Sequence, residues 1–251
     1  MRIKLTLAYD GRVFEGSQSQ VGGNTVQDHL ERAIEATAKQ AIRMQLAGRT
    51  DAGVHAMAQT AHFDAPETLN MNPYNWVPAL NSKLPPAIRV MNSEEVPADF
   101  HARYSAKGKV YIYRLCTLPV LPPLLHGLVW HVPKLFDRSV MEQALAAYVG
   151  RHDFRYFAAV RGNETEESDF HRTIHSCTLN AQDDGYEITY IGDGFFYKMI
   201  RLLTGAALAC AQGKMEISQL EKWISAEGLT FRDTCSHCAP ADGLTLEKVI
   251  Y

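Results

Sequence analysis

Two runs with strand character, Arg172 to Leu179 and Tyr186 to Ile191, are joined through the turn Asp183-Asp184-Gly185. A parallel crossover needs roughly a dozen residues or more, so strands this close in sequence must pair antiparallel. The rest of the chain mixes strand and helix signals. Ile3, Leu5, Leu7 and Tyr9 alternate with Lys4, Thr6 and Ala8, which predicts a half-buried strand over residues 2 to 9, ended by Asp10-Gly11. Val26, Leu30, Ala33 and Ile34 recur at helical spacing behind Thr25 and Asp28, a capping box with the shorter acid, so a helix of about four turns starts near Val26. Strands follow at Met57 to Phe63, Ala87 to Met91 and Lys109 to Cys116, the last alternating Val110, Ile112 and Arg114 against Tyr111, Tyr113 and Leu115.

The second part of the chain repeats the mixture. Val140 to Val149 reads as a helix stopped by Gly150, and Phe196 to Gln212 as a long apolar helix ending near Gly213. Ser218, three residues before Glu221, opens a further helix that runs to Glu227 and stops at Gly228. Leu244 to Ile250 closes the chain as a strand. The fold class expected is α+β, two similar halves with largely antiparallel sheets flanked by helices. The run from Leu118 to Leu125 carries Pro119, Pro122 and Pro123 and cannot sit inside a sheet or helix, so it is a linker between the halves or a rigid surface loop.

Composition narrows the function classes. With 251 residues, 46% of them apolar, the chain can bury a large core in one or two domains. A formal charge of -3 excludes a uniformly basic nucleic-acid binder, so any polyanion must meet a local patch. Such a patch is available. Between Phe100 and Phe136 there is no Asp or Glu, while Arg103, Lys107, Lys109, Arg114 and Lys134 are interleaved with Tyr104, Tyr111 and Tyr113. The acids concentrate elsewhere, notably in Glu164-Thr165-Glu166-Glu167-Ser168-Asp169. Five cysteines, odd in number and unevenly spaced, suit reduced thiols rather than a disulfide framework. The opening MRIKLTLAYDG has no continuous apolar stretch, so we expect a soluble, cytoplasmic protein with no membrane association.

Chemistry concentrates in Leu46-Ala47-Gly48-Arg49-Thr50-Asp51-Ala52-Gly53-Val54-His55-Ala56. Two glycines bracket an Arg and an Asp on a tight loop, which displays an acid as a nucleophile or base. By itself the pattern is met more simply by a turn Asp bonding its own backbone.

Further blocks turn that balance. GRTDAGVHA at 48 to 56 resembles the active-site signature of the tRNA pseudouridine synthase A family. YDGRVFEGSQSQ at 9 to 20 with Thr25-Val26-Gln27 is similar to the family's opening segment. Asn81, Leu84 and Pro85, then FHARYSAKGKVYIYRL at 100 to 115, resemble its middle, while GFFYKMIRLLTG at 194 to 205 and APADGL at 239 to 244 resemble its end. Five blocks in order cover essentially the whole chain. One position departs: Ser17 stands where the family usually has Trp, which removes a large aromatic surface from that loop.

The resemblance implies the pseudouridine synthase fold with a central catalytic cleft, an N-terminal half over 1–104 bearing the Asp loop and a C-terminal half over 105–251. It implies isomerisation of uridine to pseudouridine at positions 38, 39 and/or 40 in the anticodon stem-loop of tRNA, by a homodimer that needs no cofactor. Asp51 matches the nucleophile, Arg201 its ion-pair partner, and Tyr111 the tyrosine that stacks on the target base and helps remove the C5 proton. Arg49 would hold RNA phosphate or the surroundings of the flipped nucleotide, and Leu244 would pack against uracil. Arg103, Lys107 and Lys109 would meet phosphates.

Two other readings use the same residues. Cys235-x-x-Cys238 with His237, and the pair His171 and His175, are ligand types for zinc, while Asp51, His55, His62 and Asp64 are residue types for a metal-dependent hydrolase but follow no spacing motif. On a strand, however, residues four apart lie about 13 Å apart, too far to share an ion. A non-catalytic RNA-binding protein is the second, and Asp51 argues against it, because a carboxylate in a basic site repels phosphate.

Overall fold

The computed structural model describes residues 1–69, 71–159, 165, 167–230 and 232–251. Its elements, in chain order, are β1 (Arg2–Tyr9), α1 (Val26–Ala38), β2 (Gln45–Leu46), β3 (His55–Asp64), α2 (Trp76–Asn81), β4 (Ile88–Val96), β5 (Gly108–Cys116) and β6 (Trp130–His131). Next come α3 (Arg138–Ala147), β7 (Gly150–Asp153), β8 (His171–Gln182), β9 (Gly185–Gly192), α4 (Met199–Ala211), α5 (Ile217–Ser225) and β10 (Leu244–Ile250). The chain divides into two compact units, Met1–Lys107 with Thr245–Tyr251, and Gly108–Leu244. Residues 245–251 thus belong with the first unit, whereas the reading by halves left them in the second.

In the first unit β1 is the centre of the sheet, antiparallel to β3 on one side and to β4 on the other. Its alternation works as expected: Ile3, Leu5, Leu7 and Tyr9 are buried, and Lys4 faces out to Glu94 at 3.0 Å. Each buried aliphatic side chain on that face contributes about 1.5–3 kcal/mol. The free edge of β3 is shared. Near its end β2 pairs antiparallel, Leu46 opposite Ala61, and near its start β10 pairs parallel, Leu246 opposite Ala56. Residues 47–54 therefore leave the sheet after β2 and rejoin it at β3, and Asp51 rides on that excursion.

Helix α1 starts where the capping box predicts. The Thr25 side chain accepts from the Asp28 N–H and the Asp28 carboxylate accepts from the Thr25 N–H, both at 3.2 Å. Val26, Leu30, Ala33 and Ile34 form its buried face. The short helix α2 has too few turns to show a period, and its Trp76 is fully buried edge-on to Phe63 at 4.8 Å.

In the second unit the sheet order is β5-β9-β8-β7, antiparallel throughout, with β6 parallel to β5. The hairpin β8–β9 closes as Gln182 opposite Gly185, leaving Asp183-Asp184 as the loop. Both units carry antiparallel sheets with helices, the α+β class expected. Helix α3 begins earlier than its apolar spacing suggested, because Asp137 caps the Ser139 and Val140 amides. Helix α4 begins later than expected, at Met199, because Lys198 takes a left-handed conformation with φ 60. Helix α5 starts at Ile217 behind Glu216, so Ser218 lies inside the helix and is not its cap, and the chain turns out at Ala226 with φ 55. The Pro-rich run lies within the second unit as a surface loop with one 3-10 turn, Pro123–Leu125, and Val120 and Leu124 exposed. Of the acidic run, Glu164 and Glu166 lie outside the described residues, and Asp169 pairs with His171 at 2.9 Å. Among the described residues no helix is long and apolar enough to cross a membrane.

Candidate active site

Asp51 is half-buried and opens a turn in which its carbonyl accepts from the Val54 N–H at 3.1 Å. The third residue of that turn is Gly53 with φ 84, the left-handed value that a type II turn requires there. The backbone just beyond is pinned to the end of β1. Gly53 N–H donates to the Gly11 carbonyl at 3.2 Å, and Gly11 N–H donates to His55 Nδ1 at 3.3 Å. A Cβ on Gly11 would stand 2.1 Å from the Val54 carbonyl oxygen, so only glycine permits this approach.

The backbone just before Asp51 is held as firmly. Thr50 N–H donates to Ser17 Oγ at 2.8 Å, and the Thr50 carbonyl accepts from the Ser17 N–H at 3.0 Å. Thr50 Oγ1 shares a hydrogen bond with the Tyr9 hydroxyl at 2.8 Å, and burial raises the Tyr9 pKa, so that hydroxyl stays protonated. Gln59 Nε2 donates to the Gly48 carbonyl at 3.0 Å. Asp51 thus projects from a backbone fixed on both sides, as a group whose position matters should be. Arg49, two residues earlier, is exposed.

Sequence reading singled out Asp51 but not its supports. Tyr9, Gln59 and Thr50 were missed, and the signal available was the pair of polar residues Gln59-Thr60 inside the strand run from Met57 to Phe63; both are buried, one on each face of β3. Ser17 was visible only as a gap in an aromatic surface; in the folded protein it is a fully buried hydrogen-bonding residue.

Also in the first unit, Arg103 and Lys107 are exposed on the segment following β4. His101 Nδ1 accepts from the amides of Arg103 at 3.1 Å and Tyr104 at 3.3 Å, and its ring lies 4.3 Å from that of Tyr104. Tyr104 is 77% exposed with the Arg103 guanidinium 5.8 Å from its ring. An exposed aromatic face beside a guanidinium is what stacking on a base and pairing with phosphate need.

The remaining candidates belong to the second unit. Tyr111 is buried on the core face of β5, opposite Tyr190, with the Phe195 ring edge-on at 5.4 Å. Lys109 is half-buried at the start of the same strand. Arg201 is the only one of the thirteen residues of α4 that is not buried. Its Nε donates to the Ala239 carbonyl at 2.7 Å, and its own carbonyl accepts from the Ala239 N–H at 3.0 Å. That reciprocal pairing needs Gly205 one turn further on, because a Cβ there would meet the His237 carbonyl oxygen at 2.2 Å. The same segment is tied to β5. Tyr113 hydroxyl donates to the Pro240 carbonyl at 2.7 Å, and Arg114 N–H to the Gly243 carbonyl at 2.9 Å. Leu244 follows, buried. Residues 108–115, 194–205 and 239–244, far apart in sequence, are thereby brought together within this unit.

Three of the residues suited to a metal have other partners. His55 Nδ1 lies 3.4 Å from Asp10, His62 Nδ1 accepts from the Ala102 N–H at 3.1 Å, and Asp64 pairs with Arg2 at 2.8 Å. His171 and His175 lie on β8, as the strand reading required. Among the described residues no three His, Cys, Asp or Glu side chains gather as a metal would require.

Residues 6–105 and 144–251 match the family profile described as tRNA pseudouridine synthase. A protein named tRNA pseudouridine synthase A from Akkermansia muciniphila is 46% identical over 253 residues, covering 100% of this chain and 95% of its own length. Proteins of the same name from Bacillus licheniformis and Geobacillus are each 40% identical, covering 100% of this chain and 99% and 98% of their own lengths.

Proposed function

Because the chain belongs to the tRNA pseudouridine synthase family, we propose that it isomerises uridine to pseudouridine in the anticodon stem-loop of tRNA, at position 38, 39 and/or 40. The reaction conserves every atom. The N1–C1′ glycosidic bond breaks, the uracil turns, C5 bonds to C1′, the C5 proton leaves and N1 takes one up. What carries the reading is Asp51, an acid on a turn whose backbone is fixed on both sides, within a block that matches the family signature.

Whether the carboxylate attacks the base, attacks the sugar or assists proton loss at the sugar, it must be ionised, and a guanidinium partner favours that form against desolvation. Arg201 takes that role, Tyr111 stacks on the uracil and assists loss of the C5 proton, and Leu244 packs against the base. Arg49 holds phosphate near the flipped nucleotide, while Arg103, Lys107 and Lys109 neutralise phosphates of the stem. Eversion of the uridine costs a few kcal/mol, which these contacts offset. The enzyme acts in the cytoplasm as a homodimer without a cofactor.

The experiment is Asp51→Asn with a tRNA anticodon stem-loop labelled with tritium at uridine C5. Tritium release should vanish while RNA affinity stays within about threefold, since the cationic contacts to phosphate are unchanged and only one repelling charge is removed. Persistent release would overturn the nucleophile assignment. A metal-dependent reaction would show itself as release that chelators abolish.

A further inference from the structure

We propose that Ser17 is a positioning residue, whose hydroxyl sets the placement of the Asp51 turn through the Thr50 amide. The inference rests on the reading of Asp51 as the reacting group. Ser17 is 0% exposed and Thr50 7%, so both residues are withdrawn from solvent. In a plain antiparallel bridge the Thr50 N–H would be met by the carbonyl of the opposing residue. Here that carbonyl is already engaged, because Ser17 C=O accepts from the Gln27 N–H at 3.0 Å, and the preceding Gly16 C=O accepts from Val26 N–H at 3.2 Å. Both flanking acceptors are committed to the first turn of α1.

The Ser17 hydroxyl takes their place. It accepts from Thr50 N–H at 2.8 Å and points its own proton at the Thr50 carbonyl, 3.5 Å away. The two segments come this close because Gly16 has φ 97 and no Cβ, which would otherwise stand 3.0 Å from the Thr50 carbonyl oxygen. A continuous connection results, from the start of α1 through Ser17 to Thr50 and so to the residue beside it, Asp51. Without an oxygen at this γ position, a buried N–H one residue before the reacting carboxylate loses its acceptor, and the turn relaxes to find another.

The test compares Ser17→Ala and Ser17→Cys with the unaltered protein, by tritium release and by hydrogen exchange at the Thr50 amide. Cysteine fills the volume but accepts hydrogen bonds poorly, so it separates packing from bonding. We expect kcat to fall at least about tenfold in both variants with KM within about threefold, the signature of a misplaced reacting group and not of weakened binding. Thr50 exchange should be slow in the unaltered protein and at least about tenfold faster in both variants. A kcat within about twofold of the unaltered value for Ser17→Ala, a loss confined to KM, or fast Thr50 exchange in the unaltered protein would each overturn the proposal. Should Ser17→Ala not fold, Ser17→Cys and the exchange rate of the unaltered protein decide it. Asp51→Asn, run alongside, separates the two readings: if it stays active the nucleophile assignment fails, and if it is inert while Ser17→Ala keeps full kcat, only the role of Ser17 fails.

Discussion

Replacing Gly205 by alanine should destabilise the protein more than any other single methyl group added to α4 and should impair the reaction as well. The added Cβ would lie 2.2 Å from the His237 carbonyl oxygen and 2.7 Å from its carbon, both backbone atoms that cannot rotate aside. Relieving such overlap costs about 1–3 kcal/mol. The relief must move residues 237–239 away from the helix, which breaks Arg201 Nε–H to the Ala239 carbonyl and Ala239 N–H to the Arg201 carbonyl. Those bonds contribute about 1 kcal/mol each. Alanine recovers about 1 kcal/mol of helix propensity, so the net loss is about 3 kcal/mol. Gly213→Ala is the control: its site is open and its φ is 66, so only left-handed strain of about 1 kcal/mol applies. Urea unfolding of the three proteins measures the difference, and tritium release tests the role proposed for Arg201. If Gly205→Ala costs no more than Gly213→Ala, the argument from close backbone approach is wrong.

Two further outcomes follow from protonation and exposure. Burial, then the neighbouring His101 and Arg2, lowers the His62 pKa from 6.5 to about 4, with Asp64 opposing. The unfolded chain takes up this proton first, so the stabilisation of about 3 kcal/mol is complete above the ordinary value and is lost as pH falls toward 4. Urea midpoints should drop less between about pH 7 and 4.5 in His62→Asn than in the unaltered protein, and an equal drop would remove His62 as the cause. Among the thiols, Cys238 is exposed, whereas burial raises the pKa of Cys177 and pushes that of Cys235 up to about 11. A thiol reagent near pH 8 should label Cys238 first in the native protein, by peptide mapping; first labelling at Cys177 or Cys235 would contradict the burial argument.

How much could be read before folding depended on the range of the interaction. Ile3 to Tyr9, the capping box of Thr25 and Asp28, and the turn at Asp183-Asp184 are encoded within a few residues, and each appears where expected. β2, β6 and α2 are too short for any period to register, and they exist because a neighbouring strand or a buried Trp76 holds them. The start of α5 shows the limit of local patterns, since Ser218 and Glu221 have capping spacing but the backbone entered its helix at Ile217.

The block around Asp51 and the candidates Tyr111, Arg201 and Leu244 were named before folding through the family resemblance, which residue type and order carry. Only the folded chain decided what holds them. Ser17 meets Thr50 across thirty-three positions, Arg201 meets Ala239 across thirty-eight, and Tyr113 meets Pro240 across one hundred and twenty-seven. Hydrogen bonds of that span depend on which backbone groups remain without partners after sheet and helix have formed, and no linear pattern records that remainder.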